Sequence, residues 1–429
     1  MTAESQPRPY RAAAIIGVLA QILFTVRVAT PHKLVFDETH YVPATRVLMA
    51  LTGPVNIEHP LLGKELIALG IMIFGDNSLG WRIMSTFAAT AVVLGIFAIL
   101  WMLFRRVRTA SFGALFVLFN ITVFIQARIA MLDGFMAAFV VTGIAALLWA
   151  MRAPPGQVWP RWLLGSALLG LAVAAKWAAA PYIAYAAVAL IAIRLRDGRA
   201  RKRSVYAALN PGDQTYWPGL PVVPALIALG VVSIGVYCLT FLPAFHYAQF
   251  PLTLDSFIQF QRRMYESQTQ VLPPHTYQSS WPTWPLMIRP IWYLFENVDG
   301  AVRGILLIGN PAVLWGGLIA VAACLYGWMR DGSPRLLAVA ALWIASYAVW
   351  IVIPKSIGFF YYYYLPSIFL ALPLAAAFDR FGRGRFAHWD EGYLVLVFCL
   401  FIYFYPIVAA MPLSNPQHFR YWMWFSTWP

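Results

Sequence analysis

The chain has 429 residues, of which 61% are hydrophobic and 11% charged, against roughly 45–50% and a quarter in ordinary soluble domains. That balance excludes a soluble globular protein. The formal charge of +14 would suggest nucleic acid in a soluble chain, but here the basic clusters are short and follow apolar runs. Anchoring at anionic lipid explains them, and no nucleic-acid partner is expected.

In chain order, apolar runs of bilayer length fall at 12–30, 79–104, 109–127, 130–151, 162–177, 178–194, 219–242, 304–328, 336–353, 362–378 and 392–411. They predict an all-α polytopic integral membrane protein with about eleven transmembrane helices. The first run is longer than a signal-peptide core and has no clear cleavage site, so it reads as a retained helix. Lys176 and Pro181 divide what could otherwise be one long run into two. With a cytoplasmic N-terminus and an extracytoplasmic C-terminus, 18 of the 31 basic and 7 of the 17 acidic residues lie inside. That excess of positive charge fixes the expected orientation. Residues 1–215 are then an N-terminal transmembrane catalytic half with outer loop 30–78, and residues 216–429 a C-terminal half with outer loop 243–303. Loops of that length are usually functional. Both carry amphipathic pieces, Glu65 to Phe74 and Leu254 to Met264, expected at the membrane surface. Cys238, Cys324 and Cys399 sit in apolar runs and form no disulfide or metal pattern.

The first outer loop opens with Phe36-Asp37-Glu38-Thr39-His40-Tyr41. Two adjacent carboxylates at the edge of hydrocarbon tend to mark function. Asp37 also fits an N-cap for a surface helix from Glu38 to about Leu51, with Glu38 at its positive end, and the residues leave both roles open. Ile57-Glu58-His59-Pro60-Leu61-Leu62-Gly63-Lys64 forms a polar turn before a second surface helix. Arg82, Arg128 and Lys176 recur at outer or buried helix positions, and Asp133 follows Arg128 inside an apolar run. Snorkelling, or an Arg128–Asp133 pair tying helices together, would account for these singly. Jointly, carboxylates and cations at the outer face suit transfer of a group from a lipid phosphate to an extracytoplasmic acceptor: cations hold the departing phosphate and a carboxylate takes the hydroxyl proton. No Gly-rich loop follows a strand, which argues against a nucleotide donor.

At these residues the sequence resembles the protein O-mannosyltransferase family, membrane enzymes of the GT-C glycosyltransferase class. Phe-Asp-Glu-Thr-His-Tyr resembles the family's Asp-Glu motif. Glu-His-Pro-Leu-Leu-Gly-Lys resembles its His-Pro-Pro-Leu-Gly-Lys, with Leu61 in place of the second proline. Arg128-Ile-Ala-Met-Leu-Asp-Gly and Lys176-Trp177 match further motifs in order. So do His275-Thr-Tyr-Gln-Ser-Ser-Trp, Gly309-Asn310-Pro311 and Tyr363-Tyr364-Leu365-Pro366, with Tyr363 where many members have His. The second outer loop is too short for the β-trefoil module of eukaryotic members, which points to the bacterial type.

The resemblance implies an inverting enzyme that moves mannose from a polyprenyl-phosphate donor to Ser/Thr hydroxyls of exported proteins. It would sit in a bacterial inner membrane with its site facing the periplasm or exterior. Carried over, Asp37 is the base and Glu38 its neighbour. Arg82, Arg128 and Lys176 face the donor phosphate, His59, Lys64 and Asp133 support them, and His275 and Tyr277 lie in the acceptor region. No cofactor is expected to be required, and His59 with Glu58 or Glu38 lacks a metal-ligand spacing. The alternatives are a related lipid-linked sugar transferase acting on lipid A or a cell-wall glycan and, further off, a transporter.

Overall fold

A computed structural model of the chain describes residues 9–210, 214–353, 355–382 and 384–429. Of the charges counted above, Glu4, Arg8, Asp213 and Arg383 lie outside the described residues. Among the described residues nine helices are long and apolar enough to cross a membrane, and the shorter apolar helices Pro9–Thr25 and Val107–Leu118 occupy two further expected runs. The longest, Ser78–Phe104, has 27 residues and measures about 40 Å at 1.5 Å per residue. Asn77 starts it by accepting the backbone N–H groups of Leu79 and Gly80. The run around Lys176 does divide: helix Pro155–Ala175 ends, Lys176 is extended, and helix Ala180–Ala200 begins after one 3₁₀ turn with Pro181 in its first turn. Small residues let helices approach closely, as membrane packing favours. A Cβ on Gly170 would come within 2.5 Å of the Ser233 carbonyl oxygen.

Two expected spans differ. The run 109–127 breaks at Asn120, which caps a short helix, Ile121–Gln126. The run expected to start at residue 304 instead begins as a strand. Strands β1 (Ile291–Val298) and β2 (Ala301–Leu307) form an antiparallel hairpin with a bulge between Trp292 and Leu294, so the fold is not wholly helical. Its two-residue turn is Asp299-Gly300, both at positive φ, as a tight type I′ turn demands. The helix then starts at Pro311, with Asn310 capping it and also donating to the Phe119 and Val397 carbonyls. Gly309-Asn310-Pro311 is thus a helix start that joins three segments.

The surface helices are present at Glu38–Met49, Leu62–Phe74 and Leu254–Thr269. The first two are joined by Arg46 and Asp76, at 2.8 and 3.0 Å. The hairpin tip is tied to the first outer loop by Lys33–Glu296 at 2.8 Å and His32–Asp299 at 3.2 Å. At the opposite ends of the spanning helices, Arg106–Asp379, Arg108–Asp390 and Arg380–Asp331 link neighbouring helix termini.

Candidate active site

Asp37 and Glu38, adjacent in sequence, meet different surroundings. The Glu38 carboxylate is fully buried and accepts four hydrogen bonds: Arg82 Nε and Nη2 at 2.8 Å each, and the backbone N–H groups of Val35 and Ala130 at 2.8 Å each. Arg82 spends its remaining contacts on the carbonyls of Val28, Pro31 and Lys33. A carboxylate with four donors has little capacity left for a substrate proton, so Glu38 is a structural keystone. The Arg82 guanidinium faces Glu38 and the loop, which removes the geometric basis for the expected phosphate contact.

Asp37 occupies the N-cap position, yet its side chain makes no capping hydrogen bond. It accepts only from Tyr41 Oη, at 3.3 Å. Burial raises its carboxyl above the ordinary value, opposed by Lys176 and His40 and reinforced by Asp133. A half-buried carboxylate with a raised pKa and free lone pairs is suited to taking a proton. The capping role is therefore not what holds this residue.

Facing it, Lys176 Nζ contacts both Asp133 oxygens, at 2.9 and 2.7 Å. The expected Arg128–Asp133 pair does not form. Instead the extended residue after helix Pro155–Ala175 brings Lys176 to the first turn of helix Leu132–Met151, where Asp133 lies. Two of its three N–H bonds serve Asp133 and one remains for a ligand. The ammonium lies 5.4 and 5.9 Å from the ring centroids of Tyr361 and Tyr362, within cation–π range. Phe36 stacks on Tyr293 at 4.0 Å and meets Tyr361 edge-on. It holds a φ of 50°, unusual for a bulky residue and sustained here by packing on both sides.

The other expected residues spread around this centre. Lys64 is buried and donates to the carbonyls of Val55, Asn56 and His59, so it braces the polar turn. The His59 ring meets the Tyr41 ring edge-on at 5.8 Å. Arg128 donates to the carbonyls of Phe24, Val26 and Arg27, capping the first helix. Both its Nη atoms are engaged by backbone. His275 is exposed and packs edge-on against Phe359, itself stacked on Tyr361, while Arg289 covers Tyr277.

Beside them opens a cleft of about 440 Å³ whose lining includes Ser279, Trp281, Trp284, Trp350, Lys355 and Tyr362. Tyr361, Tyr362 and Lys355 were not singled out from sequence. The run of four tyrosines before Leu365-Pro366 was the available signal; the first two meet Lys176, and the fourth is buried near Asp133. Tyr363 is buried and accepts from Trp343. Among the described residues no three His, Cys, Asp or Glu side chains converge as a metal cluster.

A bundle of spanning helices, surface helices at one end and a carboxylate–lysine–tyrosine centre beneath them define a polytopic membrane glycosyltransferase of the GT-C fold. The chain belongs to the dolichyl-phosphate-mannose-protein mannosyltransferase family, whose pattern matches residues 14–253. A second pattern, the C-terminal four-span region of protein O-mannosyltransferase, matches residues 253–428. A polyprenol-phosphate-mannose–protein mannosyltransferase of Mycobacterium tuberculosis is 26% identical, covering 92% of this chain and 86% of that protein. The one of Mycolicibacterium smegmatis is 24% identical, with 97% and 92% covered. In fold, the chain superposes on the Saccharomyces cerevisiae Pmt1–Pmt2 protein O-mannosyltransferase complex bound to the sugar donor, with a TM-score of 0.81 at 13% identity, covering 98% of this chain and 92% of that one.

Proposed function

We propose that the protein transfers mannose, with inversion, from a polyprenyl-phosphate carrier to Ser/Thr hydroxyls of exported proteins. It would act at the outer face of a bacterial cell membrane. The observation that carries this reading is the half-buried Asp37 carboxylate, free of a capping bond and close enough to the Lys176–Asp133 pair to feel both charges. In the reaction Asp37 takes the hydroxyl proton as the oxygen attacks the sugar's anomeric carbon, and the bond from that carbon to the phosphate oxygen breaks. Lys176 stabilises the phosphate as it leaves, and Asp133 holds Lys176 in place. Arg82 and Arg128 serve the site through the backbone and Glu38. The acceptor enters along the aromatic cleft, past His275 and Tyr277.

Orientation follows from charge. The helix ends opposite the site carry Arg105, Arg106, Arg108, Arg152, Arg161, Arg330 and Arg380, which supports a cytoplasmic location for that face. No cofactor enters the proposed chemistry. The catalytic groups come from residues 1–215, and the wall of the cleft from residues 216–429.

The test incubates purified protein with polyprenyl-phosphate mannose and a Ser/Thr-rich peptide. Hexose on the peptide, read by mass spectrometry, supports the reading. Transfer only to a lipid or glycan acceptor would refute it in favour of the related lipid-linked transferase.

A further inference from the structure

Gln268 lies in the last turn of the outer-loop helix Leu254–Thr269, where a polar residue attracts no notice in the sequence. Its side-chain amide makes a directed set of contacts. Nε2 donates to the Glu58 carbonyl, Oε1 accepts from Lys355 Nζ, and Nε2 lies 3.0 Å from His59 Nδ1. Lys355 Nζ also donates to the Gln268 backbone carbonyl at 2.8 Å.

An ammonium only donates and a carbonyl only accepts. Those two partners therefore fix which end of the amide is nitrogen, independently of the imidazole. An amide nitrogen has no lone pair to offer, so His59 Nδ1 must be the acceptor, and in a neutral ring the proton then sits on Nε2. The ring is neutral: burial, with Lys176, Lys64 and Lys355, holds its pKa well below the ordinary value. The charged and titratable groups around it are Lys64 on the second surface helix, Lys176 after its spanning helix and Lys355 in the loop before the tyrosines. To these are added Tyr41 on the first surface helix and the neighbouring Glu58. No described residue accepts a hydrogen bond from His59 Nε2.

We propose that Gln268 is a positioning residue that fixes His59 as the neutral Nε2–H tautomer, making that N–H a fixed hydrogen-bond donor for an anionic substrate oxygen at the Asp37–Lys176 site. The inference rests on the transferase reading, in which that oxygen belongs to the departing phosphate. His59 lends a hydrogen bond and keeps its proton, as Asp37 already receives the proton of the acceptor hydroxyl. A neutral donor suits this position, crowded by three lysines, because it adds directionality without further charge repulsion. It also leaves neither ring nitrogen with a free lone pair for a metal.

The test labels histidine with ¹⁵N in the full-length detergent-solubilised protein, which has seven histidines. The His59 signals are identified by their loss in His59→Asn. In the wild type, His59 Nδ1 should be unprotonated and Nε2 protonated, with no titration between about pH 6 and 8. Gln268→Met keeps the chain length but removes both the donor and the acceptor. It should mix the tautomers and lower kcat about tenfold, the scale of one lost directed hydrogen bond, with KM for the acceptor peptide unchanged. Gln268→Glu places an acceptor opposite Nδ1. It should move the proton to Nδ1, raise the His59 pKa and add a new limb to the pH–kcat profile.

A wild-type ring protonated at Nδ1 overturns the proposal, as does an unchanged tautomer in folded Gln268→Met and Gln268→Glu proteins. A shifted tautomer with unchanged kcat overturns the catalytic half of it. Expected spectra in a wild type that transfers no sugar would instead refute the transferase reading, with the tautomer assignment supported.

Discussion

Replacing Asp37 by Asn separates chemistry from stability, because the two effects carry opposite signs. A Ser or Thr hydroxyl is a poor nucleophile, and a positioned base contributes about 10²–10⁴-fold, or roughly 2.7–5.5 kcal/mol of barrier. Nothing comparable opposes this on the folding side. The Asp37 side chain caps no helix, and its one hydrogen bond, from Tyr41 at 3.3 Å, can pass to the amide oxygen of Asn. Burial raises the Asp37 pKa above its unfolded value, so folding holds that proton more tightly than the unfolded chain does. The associated stability is present at low pH and is lost as pH rises through the folded pKa. At neutral pH the ionised carboxylate is therefore a net cost, which a neutral amide removes.

Asp37→Asn should accordingly melt no lower than wild type in detergent at neutral pH, still bind the lipid donor, and transfer sugar at least about a hundredfold more slowly. The assay pairs a thermal melt with peptide mannosylation followed by mass spectrometry. Turnover within a few-fold of wild type in a folded protein would refute the base assignment. Glu38, with four donors on its carboxylate, would not inherit the role.

Other outcomes follow from the same geometry. Wild-type transfer should decline on acidification through a pKa above the usual aspartate value, since the raised Asp37 pKa moves loss of the base form to higher pH; a pH–rate profile of kcat checks this. Lys176→Met leaves Asp133 buried without its partner and should cost about 3–5 kcal/mol. Adding Asp133→Asn should restore much of the melting temperature but not donor use. Arg82→Ala should lower stability by a similar amount through Glu38, and its donor KM should move little in whatever folded fraction remains. A protease-sensitive tag after Pro429 should be cleaved in spheroplasts and one near residue 200 protected, if charge has oriented the chain.

The spanning helices and the surface helices were legible because each depends on local pattern, apolar length and amphipathic spacing, and the adjacent carboxylates drew attention to the segment between them. The division of labour between Asp37 and Glu38 was not, because Arg82 and the Ala130 N–H arrive from segments far along the chain. Arg82 was read as a phosphate ligand since sequence shows a cation at an outer helix end but not the carbonyls and carboxylate that take all five of its N–H groups. Asp299-Gly300 was a readable hairpin signal, obscured because β2 runs directly into an apolar stretch. Gln268 carried no sequence signal, because a glutamine on a surface helix has meaning only once Lys355 and His59 stand on either side of it.

The partners of Glu38 also bear on how the protein is made. All four donors come from residues before position 131, and Lys176 meets Asp133 within the next 45 or so residues of chain. Domains generally assemble in the order of synthesis. These costly charges can thus be neutralised while the later helices are still on the ribosome, which spares the insertion machinery from handling an unpaired carboxylate or ammonium at the edge of the lipid. Of the groups around the centre, Lys355, Tyr361 and Tyr362 emerge after the others. A product truncated before residue 355 would therefore carry the paired charges of the first half but lack this wall of the centre, together with the two spanning helices that follow it.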